Sequence, residues 1–308
     1  MAYTPGMTVY TAGTVEIPGM GTDYTLKWKF TCNGKTSNGT IATHQSAETY
    51  RWMPPNSTFV PLFGNQVKGE LHVYVYPNGS SAMGFGDYTY TLVLDPSIKP
   101  SIGHTYSILQ GTKYNDKAIS SYTIVGVSTT VARVTGASQT VTISDGRTSY
   151  QVDVEAGSGD TEVSYMFSAY NVPNDSTDGY IDVEFSIVAT DARGRKATRT
   201  FTERVYKYVK PSCKISTFRN EDGTRISVNY EASCQDTVAG KANSITQIIG
   251  VIDTGEGTTP ETLDLTNLTS PQMLPGVVES SESYMVRVVV VDSIGLGITA
   301  EKIGRAHV

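Results

Sequence analysis

Three features of the sequence predict an all-β fold in which antiparallel β-sandwich domains follow one another along the chain. Short segments alternate between apolar and polar residues, clusters of turn residues separate these segments, and one hairpin pattern recurs at a domain-sized interval. The composition agrees, because 29 glycines and 19 tyrosines suit many short strands joined by tight turns. No segment has the length and periodicity of a long helix.

The clearest strand pattern lies at residues 181–195. Apolar and polar residues alternate there with the period of two that is typical of a strand with one buried face. The run ends at Asp191 and Gly194, which favour a turn because Asp hydrogen-bonds its own backbone and Gly accepts positive φ. Residues 198–206 are therefore predicted to fold back as the second strand of a hairpin.

The hairpin pattern recurs along the chain. At residues 284–295 the same turn positions are held by Asp292 and Gly295, 101 residues later, an interval typical of whole domains rather than of solenoid repeats. A looser copy occupies residues 71–94, with a turn at 77–79. The chain therefore repeats one unit three times.

A Lys-Pro-Ser sequence follows each of the first two hairpins, at residues 99–101 and 210–212. Proline cannot donate to a strand ladder and keeps its predecessor extended, which suits a short link between sheet domains. We interpret these segments as domain joints. The predicted domains, of the immunoglobulin or fibronectin type, are a sandwich at 1–100, a sandwich at 101–210 and an incomplete sandwich at 211–308.

Smaller features complete the predicted architecture. Residues 49–58 contain a Pro-Pro pair and predict a loop, beside which Trp52 is either a plug closing the sandwich or an exposed binding aromatic. Asp222 and Gly223 predict a hairpin turn. Residues 260–265 resemble the first turn of a helix, although a short one.

Charge and hydropathy exclude several classes of function. The net charge is −6, and the basic residues are scattered rather than striped, so no nucleic-acid partner is expected. No apolar run approaches the roughly 20 residues of a membrane span, so no membrane insertion is expected. The first residues lack the basic and apolar parts of a standard export signal.

The three cysteines are too few for a disulfide framework. Cys213 and Cys234 nevertheless flank the predicted turn at 222–223 almost symmetrically, which leaves a disulfide between them open. Two reduced core residues are the favoured interpretation, and three free thiols in a titration under non-reducing denaturation would establish it.

The sequence offers little support for catalysis, metal binding or a cofactor. It contains no nucleophile elbow, P-loop, dinucleotide fingerprint or pair of histidines at metal-ligand spacing. A glycosidase needs only two facing carboxylates, for which Asp175, Asp178 and Asp182 are candidates, but turn formation is the favoured role. Asp253 and Glu256 lie in a loop of too low acidic density for a favoured calcium site.

Tyrosines give the best indication of function. Tyr74, Tyr76, Tyr88 and Tyr90 fall in one predicted hairpin, and the apolar residues that alternate with the first two would be core. The tyrosines would then form an outward row, suited to stacking on sugars or to packing against another subunit, with packing slightly favoured. With Trp52, these four tyrosines are the candidate binding residues.

The order of these signals resembles a family of tail-associated minor structural proteins of long-tailed phages that infect Gram-positive bacteria. The matching segments are 50–55, 96–103, 188–195, 208–212 and 218–224. The resemblance covers most of the chain and implies small β domains at a tail tip in contact with the host surface. The resemblance implies that the protein is located in the virion and forms a homo-oligomer. Its implied partners are other tail proteins and host cell-wall polysaccharide. It implies no catalytic residues.

Two alternatives stay open at this point. One is a bacterial surface adhesin with immunoglobulin-like repeats, and the other is a virion-associated enzyme that degrades polysaccharide. Family members usually continue beyond the third unit, and residues 303–308 look like a translated sequencing adapter. We therefore expect a truncated reading frame whose last six residues are foreign to the fold.

Overall fold

The computed structural model describes residues 3–78, 86–110, 114–132, 135–156, 159–173, 179–254, 259–279 and 281–305. Strands make up 60% of the structure and helices 3%, which confirms the predicted all-β class. The two helices among the described residues have four residues each. Within the same part of the chain, no helix has the length and apolar character needed to span a membrane.

The strands before residue 94 form a five-stranded and a two-stranded sheet. The elements are β1 (Thr8–Tyr10), β2 (Val15–Pro18), β3 (Tyr24–Cys32), β4 (Lys35–Gln45), β5 (Thr49–Trp52), α1 (Asn56–Phe59), a 3₁₀ helix (Val60–Phe63), β6 (Lys68–Pro77) and β7 (Gly86–Val93). The large sheet has the order β1-β7-β6-β3-β4 and is antiparallel except for the pair β1 and β7. The small sheet pairs β2 with β5.

The core of this part follows from strand alternation. Every second residue of β3 is buried, and the same holds for Leu71, Val73 and Val75 of β6. The helical turns cover this face, because the Phe59 ring lies 4.8 Å from that of Trp28, centroid to centroid. The result is one cluster of large apolar side chains on one face of the sheet.

The next strands form a three-stranded and a five-stranded sheet. They are β8 (Ser101–Gln110), β9 (Ala118–Ile119), β10 (Ile124–Ala132), β11 (Gln139–Ser144), β12 (Ser149–Val154), β13 (Thr161–Phe167), β14 (Tyr180–Asp191) and β15 (Lys196–Tyr206). The sheet orders are β13-β10-β8 and β12-β11-β14-β15-β9, with β9 parallel to β15.

The remaining strands build three sheets. They are β16 (Ser212–Arg219), β17 (Ile226–Ser233), β18 (Thr237–Val238), β19 (Lys241–Ala242), β20 (Ile245–Asp253), β21 (Glu261–Asp264), β22 (Gln272–Met273), β23 (Tyr284–Asp292) and β24 (Gly297–Gly304). The sheet orders are β16-β17-β22, β18-β19 and β21-β20-β23-β24. Apolar residues of β17, β20 and β23 form a separate buried cluster.

The chain divides into two compact units. Unit 1 comprises Met1–Tyr106, Val127–Tyr165 and Glu184–Thr202; unit 2 comprises Ser107–Gly126, Met166–Val183 and Glu203–Val308. Each sheet of the described residues takes all its strands from one of the three predicted domain ranges. The boundaries of the three domains stay a prediction.

The repeated hairpin turn is present in both predicted places. In each turn one aspartate Oδ1 accepts hydrogen bonds from the backbone N–H groups two and four residues later, at 3.0 and 2.9 Å for Asp191 and at 3.0 and 3.3 Å for Asp292. Gly194 and Gly295 have φ of 79° and 85°, where a Cβ would be strained. The sequence repeat is therefore a repeat of one local geometry. The looser turn at 77–79 lies partly outside the described residues.

Some local predictions are wrong. Residues 260–265 do not begin a helix, because β21 pairs with β20 there and Leu263 packs against the core. The predicted loop at 49–58 contains β5 and α1 instead. The strand β4 was not predicted, since its polar sequence does not alternate, yet pairing with β3 satisfies its backbone.

The cysteines are all free. In the β16–β17 hairpin, Cys213 lies opposite Ala232 rather than Cys234. The hairpin itself has its turn where predicted, with Gly223 at φ of 73°. The favoured interpretation, two reduced side chains, agrees with this arrangement.

The C-terminal segment is partly included in the fold. Ile303 and Gly304 end β24 and lie opposite Met285 and Tyr284. The expectation that residues 303–308 are foreign to the fold is therefore wrong for these two, because their backbone extends the ladder. Residues 306–308 lie outside the described residues, and the adapter origin of the segment stays a prediction.

Candidate functional site

The outer face of β6 carries a row of aromatic rings. His72, Tyr74 and Tyr76 are partly exposed, whereas the residues between them are fully buried in the core. Exposed and buried residues alternate here because successive side chains of an extended strand point to opposite faces of the sheet. We call these three residues the tyrosine face.

Ring stacking orders the tyrosine face. The His72 and Tyr74 ring centroids are 5.9 Å apart with an interplanar angle of 11°, and those of Tyr74 and Tyr76 are 6.1 Å apart at 38°. Side chains two residues apart on a strand stand side by side, so they form a flat strip. Such a strip offers apolar ring surface together with hydroxyl groups.

Two tyrosines of the predicted outward row lie on the other face. Tyr90 is only 1% exposed and donates its hydroxyl to the Glu16 backbone oxygen at 3.0 Å. Tyr88 is half-buried against the core. The prediction that they face outward is wrong, because they lie opposite Leu71 and Val73 in the β6–β7 register.

Trp52 packs against the core of the same unit. Its ring centroid lies 5.8 Å from that of Phe59, and its backbone pairs with Val15 of β2. Of the two predicted roles, this placement favours the plug that closes the sandwich. It lies outside the tyrosine face as defined here.

Two carboxylates hold the imidazole of His72. Glu70 Oε1 lies 2.7 Å from Nε2, and Asp87 Oδ1 lies 2.9 Å from Nδ1. Only the protonated imidazolium donates from both nitrogens. The hydrogen bond with Asp87, then that with Glu70, raises the pKa of His72 against the opposing effect of burial.

We expect His72→Gln to weaken the fold more at pH 5.5 than at pH 9. The folded-state pKa of His72 is raised, so its stabilising effect is present below the unfolded value of about 6.5 and is lost as pH rises through the folded pKa. The effect is about 1 kcal/mol or less, as for partly exposed ion pairs. Urea denaturation at the two pH values measures this difference in the free energy of unfolding.

His44→Gln, at an exposed histidine, is the control. An unchanged pH dependence in His72→Gln would contradict the assignment.

Two lysines of β3 stand beside the tyrosine face. Lys27 lies opposite Tyr74 and Lys29 opposite His72 in the β3–β6 register, and both lysines are exposed. Lys27 Nζ is 5.4 Å from the centroid of the Tyr76 ring, a cation–π distance. Positive charge therefore borders the aromatic strip on the β3 side.

A second feature is the segment 94–98, which leads into the first predicted joint at 99–101 and lies in unit 1. Arg195, in the repeated turn, donates through Nη1 to the Ile98 oxygen at 2.7 Å and through Nη2 to the Leu94 oxygen at 2.6 Å, and it also bonds the Asp95 oxygen. The neighbouring Arg193 donates to the Gly64 oxygen at 2.8 Å. The charged hydrogen bonds of Arg195 fix the joint to the turn, whereas Arg193 fixes the same turn to the segment before β6.

The segment 206–209, which leads into the second predicted joint at 210–212, is held within unit 2 by the corresponding turn. Tyr208 donates its hydroxyl to Asp292 Oδ2 at 2.9 Å, and Asn243 Nδ2 donates to the same oxygen at 3.1 Å. Ile294 and Leu296, at the positions of the two arginines, pack here in an apolar cluster. One turn geometry therefore fixes the first joint through arginine hydrogen bonds and the second through a buried hydrogen-bond network together with apolar packing.

The other candidate residues form no site in the part of the chain that the structure describes. Asp182 accepts a hydrogen bond from Arg204 at 2.9 Å on the surface, while Asp175 and Asp178 lie outside that part. Asp253 lies 3.8 Å from Arg287, and Glu256 also lies outside. No group of three or more His, Cys, Asp or Glu side chains suited to a metal ion occurs among the described residues.

Sequence reasoning missed several residues that matter here. The alternation of β6 placed His72 on the tyrosine face, but its carboxylate partners were not predicted, because Asp87 follows a turn of undetermined length. The roles of Arg195 and Tyr208 were missed as well. Arg195 stood only within a matched turn segment, and the corresponding position of the repeated turn holds Leu296, so the repeat gave no signal for its contacts.

Comparisons with known proteins were made on sequence and on structure. No family model and no curated protein matches the sequence. Three solved structures that are similar are the FN1–FN3 domains of chicken CNTN1 (11% identity, TM-score 0.26, 96% of this chain and 98% of that one), a tetra-tandem repeat from the extending region of a large adhesion protein (14%, 0.27, 99% and 73%), and the Ig1–Ig3 ectodomain of mouse nectin-like molecule 4 (11%, 0.34, 99% and 97%). These likenesses are distant, and none identifies a function for this chain.

Proposed function

We propose that this chain is a structural and attachment component of a phage tail, which contacts a host cell-surface polysaccharide through the tyrosine face and acts without catalysis. The observation that carries the proposal is the solvent-facing strip formed by Tyr74 and Tyr76. Tyrosines set side by side on a rigid strand present preordered apolar surface and hydroxyl groups at little entropic cost.

The packing of the core beneath the tyrosine face favours binding over a purely structural role. The residues beneath the tyrosines, Val73 and Val75, are fully buried, so the strand is anchored from the core side. The tyrosine rings themselves are partly exposed and cover none of the main core of this unit. A flat aromatic surface of this kind suits the apolar face of a sugar ring, or a flat surface on another tail subunit.

The joints support a spacing role. Each of the two joints is fixed by a turn whose Asp carboxylate orders the local backbone. A spacer needs such fixed links, because a flexible linker would let adjacent domains move independently. Individual contacts of a tyrosine strip with polysaccharide are weak, and several copies in one particle would supply avidity.

The proposal predicts selective binding to cell walls. We expect the recombinant full chain to sediment with purified walls of some Gram-positive strains, and Tyr74→Ala/Tyr76→Ala to lose about tenfold or more in apparent affinity, since each aromatic contact contributes about 0.5–1.5 kcal/mol. Circular dichroism would verify that the variant is folded.

Tyr150→Ala is the matched control, because Tyr150 is 37% exposed and stacks on Tyr165 in another part of unit 1. It should bind walls as the unmodified chain does. If no strain binds the chain, or if both variants bind equally well, attachment through the tyrosine face is refuted. The strip would then be assigned to packing against other tail subunits.

A further inference from the structure

We propose that the ligand of the tyrosine face is an anionic saccharide polymer, with sugar rings against Tyr74 and Tyr76 and its negative groups at Lys27 and Lys29. The inference rests on the proposed attachment function and adds the chemical class of the ligand. The negative group is a phosphate or a carboxylate, which share the ability to accept hydrogen bonds from an ammonium group.

The two lysines occupy fixed places beside the rings. They alternate with Leu26, Trp28 and Phe30, which are buried, so the lysines point to the same side of the sheet as the tyrosines. The register places both directly across from the row. Adjacent strands are about 4.8 Å apart, so one ligand can contact a ring and an ammonium together.

The charges of both lysines are available to a ligand. Neither lysine takes part in an ion pair among the described residues. On their other side they lie opposite Asn38 and Thr40 of β4, both neutral and exposed. Because no carboxylate neutralises them, their positive charges stand out on a chain whose net charge is −6.

The acidic residues of the same face are already engaged. Glu70 and Asp87 both bond His72, on the β6 and β7 side of the row. The acids of this face, Glu70 on β6 and Asp87 on β7, are therefore paired with His72, whereas the lysines on the β3 side take part in no ion pair among the described residues. An anionic polymer is complementary to the β3 side, whereas a cationic polymer would lack a free acid in this arrangement.

The test compares competitors and charge variants of the full chain. Wall sedimentation is repeated with a glycerol-phosphate oligomer, polygalacturonate or neutral dextran as soluble competitor. We expect the two anionic probes to compete and dextran to compete at least tenfold less well. The stronger of the two anionic probes identifies phosphate or carboxylate as the preferred group.

The variant Lys27→Gln/Lys29→Gln should lose about five- to tenfold in apparent affinity, as expected for two exposed ionic contacts. The loss should shrink as NaCl is raised, because salt screens exposed charges. Lys29→Gln alone tests the charge without altering the contact of Lys27 with a ring. The control Lys196→Gln/Lys214→Gln removes two exposed lysines elsewhere and should bind unchanged.

The two proposals fail in different ways. If the tyrosine variant loses wall binding while the lysine variant binds normally and dextran competes as well as the anions, the anionic class is wrong and attachment stands. If neither the tyrosine nor the lysine variant loses binding, the attachment face itself is wrong and the ligand class falls with it.

Discussion

Asp292→Ala is expected to lower the free energy of unfolding of the chain by about 3–5 kcal/mol, because several buried donors would lose their acceptor and each unsatisfied buried donor costs about 1–3 kcal/mol. Asp292 is only 1% exposed, and its carboxylate accepts four hydrogen bonds. Two come from the backbone of the turn, and two from Tyr208 and Asn243. Alanine would remove the acceptor of all four donors, and three of these hydrogen bonds, from Tyr208, Asn243 and Ile294, are buried.

The tyrosine partner strengthens this expectation. Burial, followed by the hydrogen bond to Asp292, raises the pKa of Tyr208, so its hydroxyl stays protonated and remains a donor. Tyr208→Phe removes one donor and leaves the carboxylate with three, so its cost should be about 1–2 kcal/mol. In the double variant the costs should be less than additive, because the two side chains share one hydrogen bond.

Urea denaturation followed by circular dichroism measures these differences. The matched control is Asp264→Ala, since Asp264 is exposed and, among the described residues, its carboxylate accepts hydrogen bonds only from Thr266 in its own turn. That variant should cost about 1 kcal/mol. A loss for Asp292→Ala no greater than for Asp264→Ala would show that the buried network does not hold the second joint.

The hairpins could be predicted because their causes are local. Alternation along β14 sets which side is buried, and the Asp and Gly of the turn set where the strand ends. The same local rule located β23, 101 residues after β14's turn. By contrast β4 has no alternation, because its polar outer strand is specified by pairing with β3 rather than by its own pattern.

The tyrosine site could be predicted only in part. Parity along one strand correctly placed Tyr74 and Tyr76 opposite the core. On the second strand of a hairpin, odd and even positions cannot be assigned to faces while the turn length is undetermined, since a shift of one residue exchanges the faces. In the actual register odd-numbered residues of β6 pair with even-numbered residues of β7, and Tyr90 is therefore buried.

The joints depend on contacts between distant parts of the sequence. Arg195 bonds carbonyl oxygens about 100 positions earlier, and nothing in its local pattern distinguishes it from an exposed turn arginine. The Lys-Pro-Ser signal predicts joints at 99–101 and 210–212, but it does not indicate which side chains hold the segments that lead into them. Such contacts need the packed structure, because they depend on how elements meet rather than on local propensity.

Arg195→Ala is expected to destabilise unit 1 by about 2–4 kcal/mol and to loosen the first joint. Its guanidinium bonds three backbone carbonyls between residues 94 and 98, and hydrogen bonds to a charged group contribute about 1.5–3 kcal/mol each before their entropy cost. Arg195→Lys should recover only part of the loss, because an ammonium lacks the planar fork that reaches carbonyls on several sides.

Hydrogen exchange gives a local measurement of the same change. In Arg195→Ala, the amide hydrogens of residues 94, 95, 97 and 98 should exchange at least tenfold faster, since opening of the joint would cost at least 1.4 kcal/mol less. Arg51→Ala is the control within unit 1, because Arg51 pairs with Glu16 on the surface and its side chain is 72% exposed. It should cost less than about 1 kcal/mol and leave the joint unchanged.

The two arginines of the turn allow a sharper distinction. Arg193 bonds carbonyls at 60–64 and Thr135 rather than the joint, so Arg193→Ala should also lower stability while leaving exchange at 94–98 close to that of the unmodified chain. Equal acceleration at the joint in both variants would mean that general loss of stability, and not the contact made by Arg195, controls the link. Faster exchange at 94–98 in Arg195→Ala alone would show that this one side chain makes the joint stiff. A spacer built from fixed links requires a stiff joint.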